Sequence, residues 1–164
     1  MVVAVPLDVD DPQQAEAWLA LLDHYARDPM GGGSGLSAYA RQHLLARLRQ
    51  WPGFHAALAM AGDEAVGLIN CFAGFSTFAA RPLLNIHDIV VREDWRGHGV
   101  SRILLDWAAA RAGELGCCKL TLEVLANNAV ALAAYKRAGF APYVLDPQAG
   151  HALFLQKVLL EDAS

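Results

Sequence analysis

The stretch Asp88-Ile89-Val90-Val91-Arg92-Glu93-Asp94-Trp95-Arg96-Gly97-His98-Gly99-Val100-Ser101 constrains this chain more than any other. An apolar run of strand character meets a charged turn, and Arg-Gly-x-Gly then opens an amphipathic helical pattern. Small residues at such a turn let backbone approach a ligand closely, and the first N–H groups of a helix have no intrahelical acceptor. With the helix dipole they make an anion site suited to a diphosphate, to which Arg96 adds a charge-assisted contact. Two other phosphate loops are excluded. GxxxxGK[ST] is absent, and the third glycine position of GxGxxG holds Arg102. On this segment alone, a glycine-rich strand-to-helix turn without a ligand is the competing reading.

The remaining periodicities supply the frame. Val2 to Leu7 reads as an edge strand, and Asp11-Pro12 starts a helix that ends before Asp28-Pro29. Gly31-Gly32-Gly33-Ser34-Gly35 is a flexible connection, or a loop that closes over a substrate, ahead of a helix from Ser37 to Gln50. Phe54–Ala61 and Ala65–Thr77 form a hairpin around Gly62-Asp63-Glu64, and Leu83–Val91 is a further strand. A helix from Gly97 to Leu115 is closed by Gly116. Strand Cys118–Leu125, helix Asn128–Ala138 and two strands, Ala141–Leu145 and Ala152–Leu159, follow. This order predicts one α/β domain over residues 1–164, a mixed sheet with helices on both faces.

Composition narrows the partners. Thirteen Lys and Arg against 17 Asp and Glu give a net charge of −4, with no basic tract, which argues against nucleic acid. Mild acidity favours, weakly, a cationic or amine substrate over an anionic one. No apolar stretch approaches the ~18 residues of a membrane span, and the N-terminus lacks a basic signal-like start. Cys71, Cys117 and Cys118 are read as reduced thiols, small core hydrophobes of a cytoplasmic protein. His24, His43, His55 and His151 show no metal-ligand spacing, so no metal is expected. Phe72, Phe75 and Phe78 read as strand packing, with the lining of a substrate pocket as the alternative.

A second segment adds chemistry. Glu123 to Ala129 runs from a strand into an Asn helix cap, and Tyr135 stands about two turns past Asn128 on the same helix face. Taken with the Arg96 loop, these residues resemble the GNAT superfamily of acyl-CoA-dependent N-acetyltransferases, most specifically from Leu83 to Phe140. The resemblance implies the GNAT fold: a mixed, mostly antiparallel sheet of six to seven strands, splayed in the middle. It implies that acetyl-CoA is the co-substrate. Its pyrophosphate would lie on the amides of the Arg96, Gly97, His98, Gly99, Val100 and Ser101 loop, where Ser101 replaces the family's Gly or Ala. Ile89, Val90 and Val91 would pair with the pantetheine arm beside Asn128, and Tyr135 matches the family's general acid.

The chemistry fits those roles. An amine attacking a thioester builds an oxyanion, best met by a backbone N–H such as that of Val91. The departing thiolate needs a proton, which a phenol such as Tyr135 can give. His87 is the candidate base, because imidazole titrates near neutrality. Asn85 could orient a water on the same face, and Asp88 is the rival, opposite His87 if the strand is regular. The expected reaction is direct acetyl transfer to a primary amine of a small molecule. The alternatives are a protein N-terminus or lysine as acceptor, and a non-catalytic acyl-CoA-binding module. The resemblance also brings homodimerisation as an expectation.

Overall fold

Asp11 caps the helix that the sequence marks here: its carboxylate accepts from the N–H groups of Gln13 and Gln14, at 2.9 and 3.3 Å. In the computed structural model, which describes residues 1–160, the resulting helix α1 spans Pro12–Arg27. It follows strand β1, Val2–Pro6. Then come helix α2 (Ala38–Arg49), strands β2 (Phe54–Ala61), β3 (Glu64–Ser76) and β4 (Arg81–Val91), helix α3 (Val100–Glu114), strand β5 (Leu120–Leu122) and helix α4 (Ala129–Arg137). Among the described residues no helix is long and apolar enough to cross a membrane.

One sheet runs β1-β2-β3-β4-β5. Its first three pairings are antiparallel, and β4 with β5 is parallel. Trp18, Leu21 and Leu22 of α1 cover one face over Leu58, Leu68 and Val90. Val100, Leu104, Leu105 and Ala108 of α3 cover the other, over Ala57, Val66 and Ile69. Each fully buried large apolar side chain contributes roughly 1.5–3 kcal/mol, so these two layers hold α1 and α3 rigidly against β4. At Gly67 a Cβ would lie 2.7 Å from the Val90 carbonyl and 3.2 Å from Val100, so only glycine lets the first turn of α3 sit this close to the sheet.

Four expectations are corrected. Helix α3 begins at Val100 rather than Gly97, because Gly97 and Gly99 adopt φ of +83° and +79°, outside the helical region. Strand β5 is only Leu120–Leu122, since residues 123–128 turn away from β4. The strands expected at Ala141–Leu145 and Ala152–Leu159 are absent, leaving five strands among the described residues where six to seven were expected. Pro142 has no N–H to give a ladder, and a three-residue β5 offers too short an edge to order two more strands. Finally, not all three cysteines and phenylalanines are core: Cys71 is buried but Cys118 is exposed, as are Phe75 and Phe78.

Two irregularities in β4 place the site. Asn70 pairs with Asp88 but Cys71 pairs with Ile86, so His87 is the extra residue of a β-bulge. And β5 accompanies β4 only from Leu84 to Ile86, so the strands part just where β4 runs on to Val91.

Candidate active site

Beyond Ile86 one side of β4 has no strand partner. Arg92 N–H donates to the Val66 carbonyl at 2.9 Å, toward β3. Alternation along the strand then turns the amide groups of Val90 to β3 and those of Ile89 and Val91 to the open side. A linear ligand with its own amides can pair there as an added strand would. The parity singles out the Val91 and Ile89 N–H groups as donors toward the gap.

At the end of that strand, Glu93–Trp95 form a 3₁₀ turn and Gly99 is the N-cap of α3. Arg96 N–H donates to Glu93 and His98 N–H to Trp95, at 3.2 and 3.4 Å. The N–H groups of Gly97, Gly99, Val100 and Ser101 have no acceptor among the described residues. Neither glycine would bring a Cβ against a neighbour, so glycine is needed at both for its positive φ. Four free donors at the positive end of a 15-residue helix fit a diphosphate. The six-amide loop expected from the sequence is thus reduced to four.

The opposite wall comes from α4. Asn128 is its N-cap, and its Oδ1 accepts from Ala131 N–H at 3.1 Å, leaving the amide NH₂ for a ligand. Tyr135 packs edge-on to Phe140, with ring centroids 6.1 Å apart. Burial, and then the neighbouring Tyr25, push its hydroxyl up to about 12, so it holds its proton throughout the neutral range.

The third wall was not expected from the sequence. The C-terminal end of α1 and its following turn bring His24, Tyr25, Asp28 and Met30 into the same cleft. Asp28-Pro29 was legible only as a helix stop. Asp28 Oδ1 accepts from Met30 N–H at 2.9 Å, while Oδ2 meets the Arg96 guanidinium at 3.3 Å. Those contacts hold its carboxyl below the usual range, the Met30 amide foremost. The glycine run is not a loose tether either: Gly35 N–H donates to Ala26 at 3.1 Å and Leu36 N–H to the buried Asp23 at 2.9 Å.

The resulting cleft has a volume of about 630 Å³. It brings together Ile89, Val90, Val91, Arg96, Gly97, Gly99, Val100, Ser101, Asn128 and Tyr135. Arg96, Arg102 and Arg137 line it against one carboxylate, Asp28, a balance that suits an anionic ligand. His98 does not line it. Its ring nitrogen bonds the Arg96 carbonyl at 3.1 Å, bracing the turn from outside. His87 lies outside the lining too, exposed at the bulge, its ring edge-on to Phe72 at 5.3 Å. Asn85 donates to Thr121 Oγ1 at 3.0 Å. The strand is not regular here, so Asp88 does not oppose His87: the bulge turns it to the face of α1, where it accepts from Asn70 at 3.0 Å.

The family model described as "Acetyltransferase (GNAT) family" matches residues 18–140. A streptothricin acetyltransferase of Streptomyces lavendulae is 44% identical over 85 residues, a match spanning 50% of this chain and 45% of that protein. Thus the chain matches about half the length of that curated relative. In fold, the chain is similar to an aminoglycoside acetyltransferase from an uncultured soil metagenomic sample, solved with sisomicin: TM-score 0.74, 16% identity, 98% of this chain and 97% of that one. A ribosomal-protein-alanine N-acetyltransferase from Brucella melitensis biovar Abortus 2308 superposes with TM-score 0.66 at 21% identity, over 89% of this chain and 99% of that one.

Proposed function

Because this chain belongs to the GNAT acetyltransferase family, we propose that it transfers the acetyl group of acetyl-CoA directly to a primary amine of a small cationic molecule. The observation that carries this reading is the join of two features in one cleft: four unpaired amides at the start of α3, and a strand edge left open by β5. A diphosphate on a long amide-bearing arm fits both, and either feature alone would fit many ligands. The 44% identical streptothricin acetyltransferase supports a small-molecule acceptor of that kind.

In this reading Gly97, Gly99, Val100 and Ser101 N–H groups and Arg96 hold the pyrophosphate of acetyl-CoA, and Asn128 steadies the arm. The bound thioester supplies the activated acetyl carbon. Val91 N–H, aimed into the gap, stabilises the oxyanion that forms when the amine attacks. Tyr135 gives its proton to the departing sulfur. With the hydroxyl pushed up to about 12, that proton stays in place through the neutral and mildly alkaline range in which the amine becomes free. His87, on the α1 side of β4 next to Phe72, takes the proton from the amine, directly or through a water held near Asn85.

The test is release of free CoA with a panel of acceptors: streptothricin, sisomicin, simple diamines, and a peptide with a free N-terminal alanine. Turnover with the small cationic amines and little with the peptide is the expected result. Preference for the peptide would move the acceptor to proteins, and absence of CoA release with every amine would remove the catalytic reading.

A further inference from the structure

We propose that Asp88 binds the ammonium group of the acceptor and that Asn70 is the positioning residue that holds it there. The inference rests on the acetyl-transfer reading above and assigns an acceptor subsite within it.

Three observations converge on Asp88. First, the bulge at His87 turns it to the face of α1, near Tyr25; Tyr25 lines the cleft and Asp88 stands behind that wall rather than in the lining. Its charge is felt there: Asp88, after burial, keeps the Tyr25 hydroxyl protonated beyond the ordinary range. Second, no Lys, Arg or His lies within ion-pair distance of Asp88 among the described residues, whereas Asp28, Asp23 and Asp94 all have arginine partners. A partly buried carboxylate without a cation is a place for one to bind.

Third, the group that holds Asp88 is itself fixed from the core. Asn70 is 2% exposed, and its two ends are committed in opposite directions. Its Oδ1 accepts from the indole N–H of the fully buried Trp18 at 2.8 Å, and its Nδ2 donates to Asp88 Oδ2 at 3.0 Å. Trp18 can only donate, so the amide cannot flip without stranding a buried donor. Asn70 therefore always offers its NH₂ to one oxygen of Asp88, leaving Oδ1 for the acceptor. An aspartate at position 70 would satisfy Trp18 equally well but could not donate. The asparagine makes sense as a device for fixing the orientation of the Asp88 carboxylate.

The experiment is a double-mutant cycle read in steady-state kinetics with streptothricin or a diamine as acceptor. Asp88→Asn keeps the hydrogen bond from Asn70 and removes the charge; the acceptor KM should rise about 100-fold with the acetyl-CoA KM unchanged. Asn70→Ser loses its reach to Asp88, and the acceptor KM should rise about tenfold. In the double variant the defect should be no larger than in Asp88→Asn, because Asn70 acts through Asp88. Additive defects, or an acceptor KM left at the wild-type value in Asp88→Asn, would overturn the proposal. If Asn70→Ser does not fold, Asn70→Asp, which retains an acceptor for Trp18, decides: the same acceptor-specific rise supports positioning and a wild-type KM refutes it. Absence of turnover by the unmodified protein would be a failure of the acetyl-transfer reading instead.

Discussion

The Arg96 guanidinium lies 3.3 Å from the Asp28 carboxylate, joining the glycine turn before α3 to the segment that leaves α1. The two residues are 68 positions apart and line the same cleft. The pair is partly exposed, so its own share of stability is about 1 kcal/mol or less. Its importance is positional: it sets the side chain expected to meet a pyrophosphate beside the wall expected to meet the acceptor.

Arg96→Ala should therefore weaken acetyl-CoA binding about tenfold, the scale of one charge-assisted hydrogen bond, while the melting temperature falls only slightly. Titration calorimetry checks the first part and a thermal scan the second. An unchanged dissociation constant would place Arg96 outside the cofactor site.

Tyr135→Phe retains the ring against Phe140 and removes only the proton donor. Turnover should fall roughly 10²-fold while acetyl-CoA affinity stays the same. With a hydroxyl pushed up to about 12, the wild-type rate should show no loss from Tyr135 ionisation up to about pH 10. Turnover unchanged in the variant would make Tyr135 a packing residue.

His87→Gln should lower kcat by roughly 10²-fold with acetyl-CoA saturating. Asn85→Ala should cost less, because an amide can only orient a water. A variant at His87 with the wild-type rate would leave proton removal to water or to the acceptor itself.

How much of this was legible depended on whether the determinant was local. The Arg96–Ser101 turn could be read because glycine at positive φ and a helix start are properties of a few neighbouring residues. The same holds for Asn128 as a cap. The bulge at His87 could not be read, since it exists only in the register of β4 against β3. Nor could the Trp18–Asn70–Asp88 chain, whose links span 52 and 18 residues. Apolar alternation at 141–145 and 152–159 suggested strands, but alternation reports strand propensity and not whether a sheet edge has room to accept one.

Asp23 tests the packing of the acceptor side. It is buried at 8% exposure and accepts from Leu36 N–H at 2.9 Å, with Arg41 and Arg27 as ion-pair partners. These contacts, the Leu36 amide foremost, outweigh burial and bring its pKa down to about 2. A carboxyl lowered on folding stabilises the native state above its unfolded value of about 3.9, and that contribution is lost as pH falls toward about 2. Asp23→Asn should destabilise the protein at neutral pH, and its melting temperature should fall less between pH 4 and pH 2 than the wild type's. Parallel acid profiles for the two proteins would show that Asp23 is not the titrating group.

The most direct test of the central claim is the thermal shift produced by acetyl-CoA in the wild type and in Gly99→Glu. At a hundredfold excess over the dissociation constant, a ligand specific to the native state adds about 2.7 kcal/mol, or roughly 5–10 °C for a domain of this size. Gly99 has a φ of +79° and its N–H is one of the four unpaired amides, so a glutamate there brings strain, bulk and negative charge to the phosphate position. The account predicts a clear shift in the wild type and none in a Gly99→Glu protein that still melts cooperatively. Equal shifts in the two proteins, or no shift in the wild type, would contradict it.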